Sequence, residues 1–320
     1  MPGNSAKTCP SQPAPGPNSP AAATNVLSFD IEDWSYLVMR MFGQEPTPRP
    51  DEVARQTDAV LELLARHRVR ATFFVLGRTA AAAPSVVRAI ADAGHEVASH
   101  GYDHAPIGTD GLTELAADVR RAKGELESLA GQAVVGYRAP AFSIPPDHWR
   151  AFFDVLAEAG VEYDSSVVPV RMPRYGLAGF GRGPRRVVAS CGRAVIEFPL
   201  SVVDWAGRPW MIAGGGYWRL MPGFVLRRAV GRLVRQGRPL VTYFHNYEFD
   251  ARPLRLGPPG VRTPAVRKWE RRGNLFRRRI PARLAAMLER LPFGPFRDVL
   301  GDYRNAPPPD ADTRENHHDR

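Results

Sequence analysis

Two histidines four residues apart, His100 and His104, close the stretch His95-Glu96-Val97-Ala98-Ser99-His100-Gly101-Tyr102-Asp103-His104. On one turn of helix, or in a tight loop after a strand, that spacing lets both imidazoles face one ion. Two neutral ligands leave a divalent cation short, and the acidic run Asp30-Ile31-Glu32-Asp33 upstream offers a carboxylate. A two-His, one-carboxylate set with open positions for water and substrate is a hydrolytic zinc-type site, and it suits other first-row divalent ions too. Glu32 and Asp33 both qualify as the third ligand. Asp30 is then left to accept a proton as general base, or to stand in an ion pair with Arg138. An arginine beside that carboxylate would lower its pKa and fix its direction. His245 is a candidate general acid for a departing nitrogen or oxygen, with Asp164 the carboxylate that orients or charges it.

The elements that must position these groups alternate along the chain. Residues 25–30, 71–77, 95–99, 133–138, 161–164, 195–200 and 240–245 are strand-like. Between them the spacing predicts helices over 51–68, 84–93, 109–129, 147–159 and 222–235, with another at 281–291. The Gly-, Pro- and Arg-rich stretch 172–186 reads as a loop. Such alternation argues for a parallel sheet covered by helices. Asp30, His100, Arg138, Asp164 and His245 each fall at the C-terminal end of a predicted strand. In a barrel those ends share one face, where catalytic residues collect. There is no Gly-rich or Walker-type phosphate loop, so an open nucleotide-binding sheet is disfavoured.

The bulk composition excludes more than it selects. A chain of 320 residues fits one large barrel, and 44% hydrophobic residues suffice for its core. No apolar run is long enough to cross a bilayer. The net charge of +10 is almost entirely arginine, the lysines being Lys7, Lys123 and Lys268. With so much Ala, Gly and Pro, that bias fits high-GC codon usage better than selection for phosphate contacts. The excess gathers in 261–290, where contact with an acidic polymer or anionic lipid competes with a plain solvated face. Two cysteines, Cys9 and Cys191, make no disulfide framework. Residues 1–24 have no apolar core of a signal peptide and read as a disordered leader, as 301–320 read as a disordered tail. Trp205, Trp210, Tyr217 and Trp218 surround Gly214-Gly215-Gly216, and aromatic faces near such a loop suit sugar rings, although packing is the competing role.

The segments Ser28-Phe29-Asp30-Ile31-Glu32-Asp33, Thr72-Phe73-Phe74-Val75, Ser99-His100-Gly101-Tyr102-Asp103-His104, Tyr137-Arg138-Ala139-Pro140-Ala141-Phe142 and Tyr163-Asp164-Ser165-Ser166 occur in that order. Together they resemble the polysaccharide deacetylase family, the NodB-homology domain of carbohydrate esterases. Phe198-Pro199-Leu200, Gly214-Gly215-Gly216-Tyr217-Trp218-Arg219-Leu220 and Phe244-His245-Asn246-Tyr247-Glu248 look like the branch from bacterial exopolysaccharide gene clusters. The resemblance covers 25–300, with 264–300 as a basic C-terminal extension. It implies an α/β fold, an irregular TIM-like (β/α) barrel of roughly seven strands.

The same resemblance implies Asp30 as base, His100 and His104 as ligands, and Arg138 holding Asp30. It implies His245 as acid supported by Asp164, and a backbone N–H near Ala141 at the oxyanion. Tyr217 and Trp218 are the expected sugar contacts. Two departures stand out: Ile31 and Glu32 follow Asp30 where the family has a second Asp, and Asn246-Tyr247 replaces the usual Pro-Trp. The expected activity is metal-dependent removal of N-acetyl groups from N-acetylhexosamine units of a bacterial polysaccharide or its precursor, with zinc the first choice of metal. The expected partner is an N-acetylated glycan and not a nucleic acid, with peripheral membrane contact left open. The expected location is the cytoplasm, at or away from the inner membrane face. Hydrolysis of another small or cyclic amide, and glycan binding without catalysis, are the rival readings.

Overall fold

The computed structural model describes residues 25–44, 47–107, 111–172, 175–256 and 263–309. The expected leader, 1–24, lies outside the described residues, as do the predicted helix start at 109–110 and positions 310–320 of the expected tail.

In chain order the elements are β1 (Asn25–Ile31), α1 (Trp34–Met41), α2 (Pro50–His67), β2 (Thr72–Val75), α3 (Gly77–Ala82), α4 (Pro84–Asp92) and β3 (Glu96–Ser99). Next come α5 (Leu112–Ala130), β4 (Gly136–Tyr137), α6 (Trp149–Glu158), β5 (Tyr163–Asp164), β6 (Arg185–Val188) and β7 (Ala194–Glu197). The chain continues through β8 (Val202–Trp205), β9 (Arg208–Met211), α7 (Gly215–Leu220), α8 (Gly223–Arg235) and β10 (Val241–His245). It ends with α9 (Pro264–Asn274), α10 (Arg279–Leu288), β11 (Phe293–Gly294) and α11 (Phe296–Val299).

The main sheet runs β10-β1-β2-β3-β4-β5-β7-β6, with β11 also pairing β1. All pairs are parallel except β6–β7. Parallel strands sit under helices on one side and core on the other, so they carry continuous apolar sequence, and every residue of β1 and β2 is buried. The sheet curls, and the chain beyond β7 crosses toward β10. There Ser201 N–H donates to the Val241 carbonyl at 3.2 Å and Val241 N–H donates to Ser201 Oγ at 2.8 Å. The predicted α/β barrel is thus the observed architecture, with an irregular closure. The layer outside the sheet packs α2, α4, α8 and α10 on one cluster around Phe29, Phe73 and Phe244. A second cluster around Phe74, Tyr163, Phe198 and Phe296 fills the barrel interior.

Two expectations need correction. The tail begins later than residue 301, because Tyr303 packs on Phe198 with ring centroids 5.3 Å apart and Pro307 accepts from Arg186 N–H at 3.0 Å. The tail's own sequence is polar, and its order comes from what it lies against. The stretch read as a loop, 172–186, ends inside β6, whose antiparallel pairing with β7 cannot be read from its own Arg- and Gly-rich composition.

Candidate active site

Strand register brings the first two groups together: Asp30 on β1 is the Cα partner of His245 on β10. His100 follows β3 and Arg138 follows β4, so all four occupy the C-terminal rim of neighbouring strands. Arg138 is fully buried and spends its whole guanidinium on this rim. Its Nη1 donates to Asp30 Oδ1 at 2.7 Å and Ser28 Oγ at 3.0 Å, while Nε and Nη2 donate to the Ser165 carbonyl and Oγ, both at 3.0 Å. Burial alone would raise the Asp30 carboxyl. Arg138, by charge and hydrogen bond, and the charge of His245 outweigh it and hold Asp30 below its ordinary range. It is therefore an ionised carboxylate with one oxygen committed to Arg138.

Glu32, His100 and His104 bring their ligand atoms within 4.8 Å of one another. Glu32 Oε2 lies 3.4 Å from His104 Nε2 and 4.0 Å from His100 Nε2. A tetrahedral ion with bonds of ~2 Å sets its ligands about 3.3 Å apart, so the opening has the right size. His100 Nδ1 donates to the Arg138 carbonyl at 2.9 Å, which fixes the tautomer and leaves Nε2 as the free lone pair. Burial pushes His104 down to about 3 and lowers His100 as well, so both rings are neutral, as ligands must be. Glu32 Oε2 itself is buried with no hydrogen-bond partner, and desolvation, then neighbouring carboxylates, push the Glu32 carboxyl up to about 7 despite His245. A buried, orphaned carboxylate oxygen facing two imidazole lone pairs is what a divalent cation would satisfy.

The loop gets His104 back to His100 by two left-handed residues, Gly101 at φ 73° and His104 itself at φ 55°. A positive φ at a histidine is unfavourable, and it sits here on a ligand, where strain of this kind tends to collect. The pair thus uses a post-strand loop, not a helical turn. The His104 and His245 side chains are each 22% exposed against 3% for His100, so the site opens to solvent on their side.

Asp33 is occupied elsewhere. Its Oδ1 accepts from Tyr36 N–H at 3.0 Å, capping α1, and from Ser35 Oγ at 2.8 Å, while Oδ2 accepts from Arg49 N–H at 2.8 Å. Of the two carboxylates that the sequence leaves open, Glu32 is the one at the imidazoles.

Asp164 does not reach His245. It accepts from Ser166 Oγ at 2.6 Å and Ser166 N–H at 3.2 Å, and it faces Glu197, its register partner on β7. Burial raises both carboxyls, Asp164 to about 6; the Asp164 charge raises Glu197 further, while a hydrogen bond from Glu197 lowers Asp164, so Glu197 is the one that keeps its proton. Ser166 Oγ in turn accepts from Ala139 N–H at 2.7 Å. This network braces the turn after Arg138, where Ala141 is exposed at φ 53°. The reason is register: Asp164 pairs with Glu197 on β7, the strand that stands between β5 and the closing contact with β10. The carboxylate at His245 is Glu248, with Oε2 3.6 Å from His245 Nδ1. Against burial, which lowers it, Glu248, Glu32 and Asp30 raise His245 to about 9. Tyr247 stacks on the His245 ring at 4.8 Å and 17°, and Asn246 Oδ1 accepts from Glu32 N–H at 3.3 Å. The His245 to Glu248 spacing of three on a strand-end turn was the signal available for Glu248.

Trp218 is also corrected. It is fully buried, donates Nε1–H to the Ile212 carbonyl at 2.6 Å and stands edge-on to Phe244 at 5.0 Å, so no sugar can stack on it. Tyr217 stays half-buried at the edge of the cluster that holds Tyr175 and Tyr243.

Residues 38–163 match the model of the polysaccharide deacetylase family, and residues 165–301 match a domain of unknown function (DUF3473). Asp30 and Glu32 precede the first match, and His245 lies in the second. One sheet nevertheless joins them, since β10 from the second region pairs β1. The chain is 34% identical over 90 residues to peptidoglycan-N-acetylglucosamine deacetylase of Bacillus cereus, covering 28% of this chain and 30% of that protein. It is 38% identical over 85 residues to chitooligosaccharide deacetylase of Sinorhizobium fredii, covering 26% of this chain and 40% of that protein. The chain therefore spans about a third of the length of these curated relatives. In fold it resembles a solved Mycobacterium smegmatis structure assigned as a polysaccharide deacetylase, with TM-score 0.63 and 23% identity over 95% of this chain and 99% of that one. On these matches residues 38–163 form a polysaccharide deacetylase domain, continued in the same sheet by the second matched region.

Proposed function

We propose that this chain is a metal-dependent hydrolase removing N-acetyl groups from N-acetylhexosamine units of a bacterial exopolysaccharide or its precursor. One observation carries the reading. Asp30, held by Arg138, and His245, beside Glu248, sit in register next to the Glu32, His100 and His104 cluster. The names of the relatives support the substrate class. When bound, a divalent ion, zinc by the chemistry of the donor set, would polarise the acetamide carbonyl and acidify the attacking water.

The chain's own residues supply the proton traffic. Asp30, kept ionised and aimed by Arg138, accepts the proton of the attacking water through its oxygen not held by Nη1. His245, kept protonated by Glu248, donates to the amine nitrogen as the C–N bond breaks. Acetate and a free amino sugar are the products. The exposed turn at Ala141 is the proposed source of a backbone donor to the oxyanion.

The test is acetate release from an N-acetylated oligosaccharide, with metal content measured on the same sample. Asp30→Asn and His100→Ala should each lower turnover by roughly 10²-fold or more. Near-normal turnover in either variant, or tight glycan binding with no acetate from wild type, sinks the proposal. A substrate panel in which only small or cyclic amides turn over favours the rival amide hydrolase.

A further inference from the structure

The hairpin β8–β9 and helices α7 and α8 form a surface that the catalytic residues do not use. Between them runs an apolar groove of about 520 Å³, lined among others by Trp205, Trp210, Leu220 and Val225. Trp210 is 52% exposed, Leu220 57% and the neighbouring Phe224 68%. One exposed apolar side chain means nothing, but several large ones around a single groove mark a contact surface.

The charge around that groove is one-sided. Between Asp204 and Glu248 the chain carries seven arginines and no carboxylate. Asp204, at the margin, is already paired with Arg182. Arg208, Arg227, Arg228, Arg232 and Arg235 are exposed and make no ion pair among the described residues. Helix α8 shows the division on one element: Leu226, Ala229, Val230 and Leu233 are buried in the core, while its four arginines and Phe224 face outward. Bulky apolar groups protruding amid arginines match the boundary of a bilayer, where lipid phosphates meet the cations and acyl chains meet the apolar tips. A nucleic acid would use the arginines but would leave Leu220 and Phe224 in water.

We propose that this face docks on an anionic phospholipid membrane. It lies wholly within the matched region of unknown function, residues 165–301, and so gives that region a physical task. It is also tied to the catalytic rim. Helix α7 starts at Gly215, where an added Cβ would fall 2.2 Å from Glu248 Oε2, and ends at Leu220 in the groove. Docking therefore sets the catalytic opening relative to the bilayer through one short rigid element.

The test is sedimentation of the full chain with phosphatidylcholine vesicles, with and without about a third phosphatidylglycerol. Pelleting is expected with the anionic vesicles alone, and about 0.5 M salt should weaken it. The double variants Leu220→Ala with Phe224→Ala, and Arg227→Gln with Arg228→Gln, should each weaken partitioning at least ~10-fold. All four positions are exposed, so melting temperature and turnover of a soluble oligosaccharide should stay at wild-type values. Absence of pelleting with anionic vesicles overturns the proposal, as does pelleting that both double variants leave intact. Retention on nucleic acid with no vesicle binding overturns it too. Vesicle binding needs no turnover, so this proposal and the deacetylase reading fail separately.

Discussion

Replacing Glu32 and Asp33 separately distinguishes a ligand from a helix cap, because the two carboxylates do opposite things to stability. Glu32 is buried, its Oε2 has no hydrogen-bond partner, and its carboxyl is raised from 4.5 to about 7. An acid whose folded pKa is raised binds its proton more tightly folded than unfolded, so stability falls as pH rises through that window. Above pH 7 the penalty in metal-free protein reaches about 3 kcal/mol, since each tenfold in proton affinity is about 1.4 kcal/mol. Glu32→Gln keeps the shape and removes the charge. The chelated variant should therefore melt higher than chelated wild type at pH 8, with the difference gone at pH 4. Its metal affinity should drop by well over ~10²-fold, more than loss of an outer-sphere partner produces. Asp33→Ala should do the reverse: it loses the α1 cap and the bond to Arg49 N–H, about 1–2 kcal/mol, and keeps its metal. The assays are zinc competition titration and thermal melts with and without chelator. An Asp33 variant that loses metal while the Glu32 variant keeps it would refute the assignment of the third ligand.

Arg138→Met should destabilise by about 3–5 kcal/mol in chemical denaturation, because it strands the Asp30 carboxylate in the interior; Arg138→Lys, keeping charge without the fork, should recover part of that. Glu248→Gln should move the alkaline limb of the turnover pH profile downward, whereas Asp164→Asn should leave that limb in place. Asp164→Asn should instead flatten the loss of wild-type stability as pH rises through about 6, followed by melts across pH, since the raised carboxyl favours its proton in the folded state. Trp218→Ala should cost about 3–5 kcal/mol in stability, and an unfolding curve matching wild type would contradict its place in the core.

Much of the architecture was legible because a parallel sheet imposes a strict rule on sequence. Strands buried on both faces are largely apolar, so the ionisable residue at the end of a run stands out, as Asp30, His100, Arg138 and His245 do. Elements without that contrast were missed. The β8–β9 hairpin carries Arg208, Pro209 and two exposed tryptophans, and α7 begins with glycines, so neither has a buried stripe to betray it. Helix α9, with five charged residues and two buried ones, is positioned by Leu254, Leu256 and Trp34, which no local pattern connects to it.

Which carboxylate serves which base is a different kind of question, and strand-end position does not answer it. Asp164 is the partner that strand-end position suggests for His245, and Glu248 is the one the structure places there. The choice depends on sheet order, which places β10 beside β1 and β5 beside β7. Asp164 then meets Glu197, and two buried carboxyls in register are accommodated because Glu197 keeps its proton. Glu248 is three residues from His245 on a turn that also returns its oxygen to His245 N–H at 3.0 Å. Short-range geometry fixes that contact whatever the sheet does. For His245, the local partner was the safer inference than the one suggested by strand-end position.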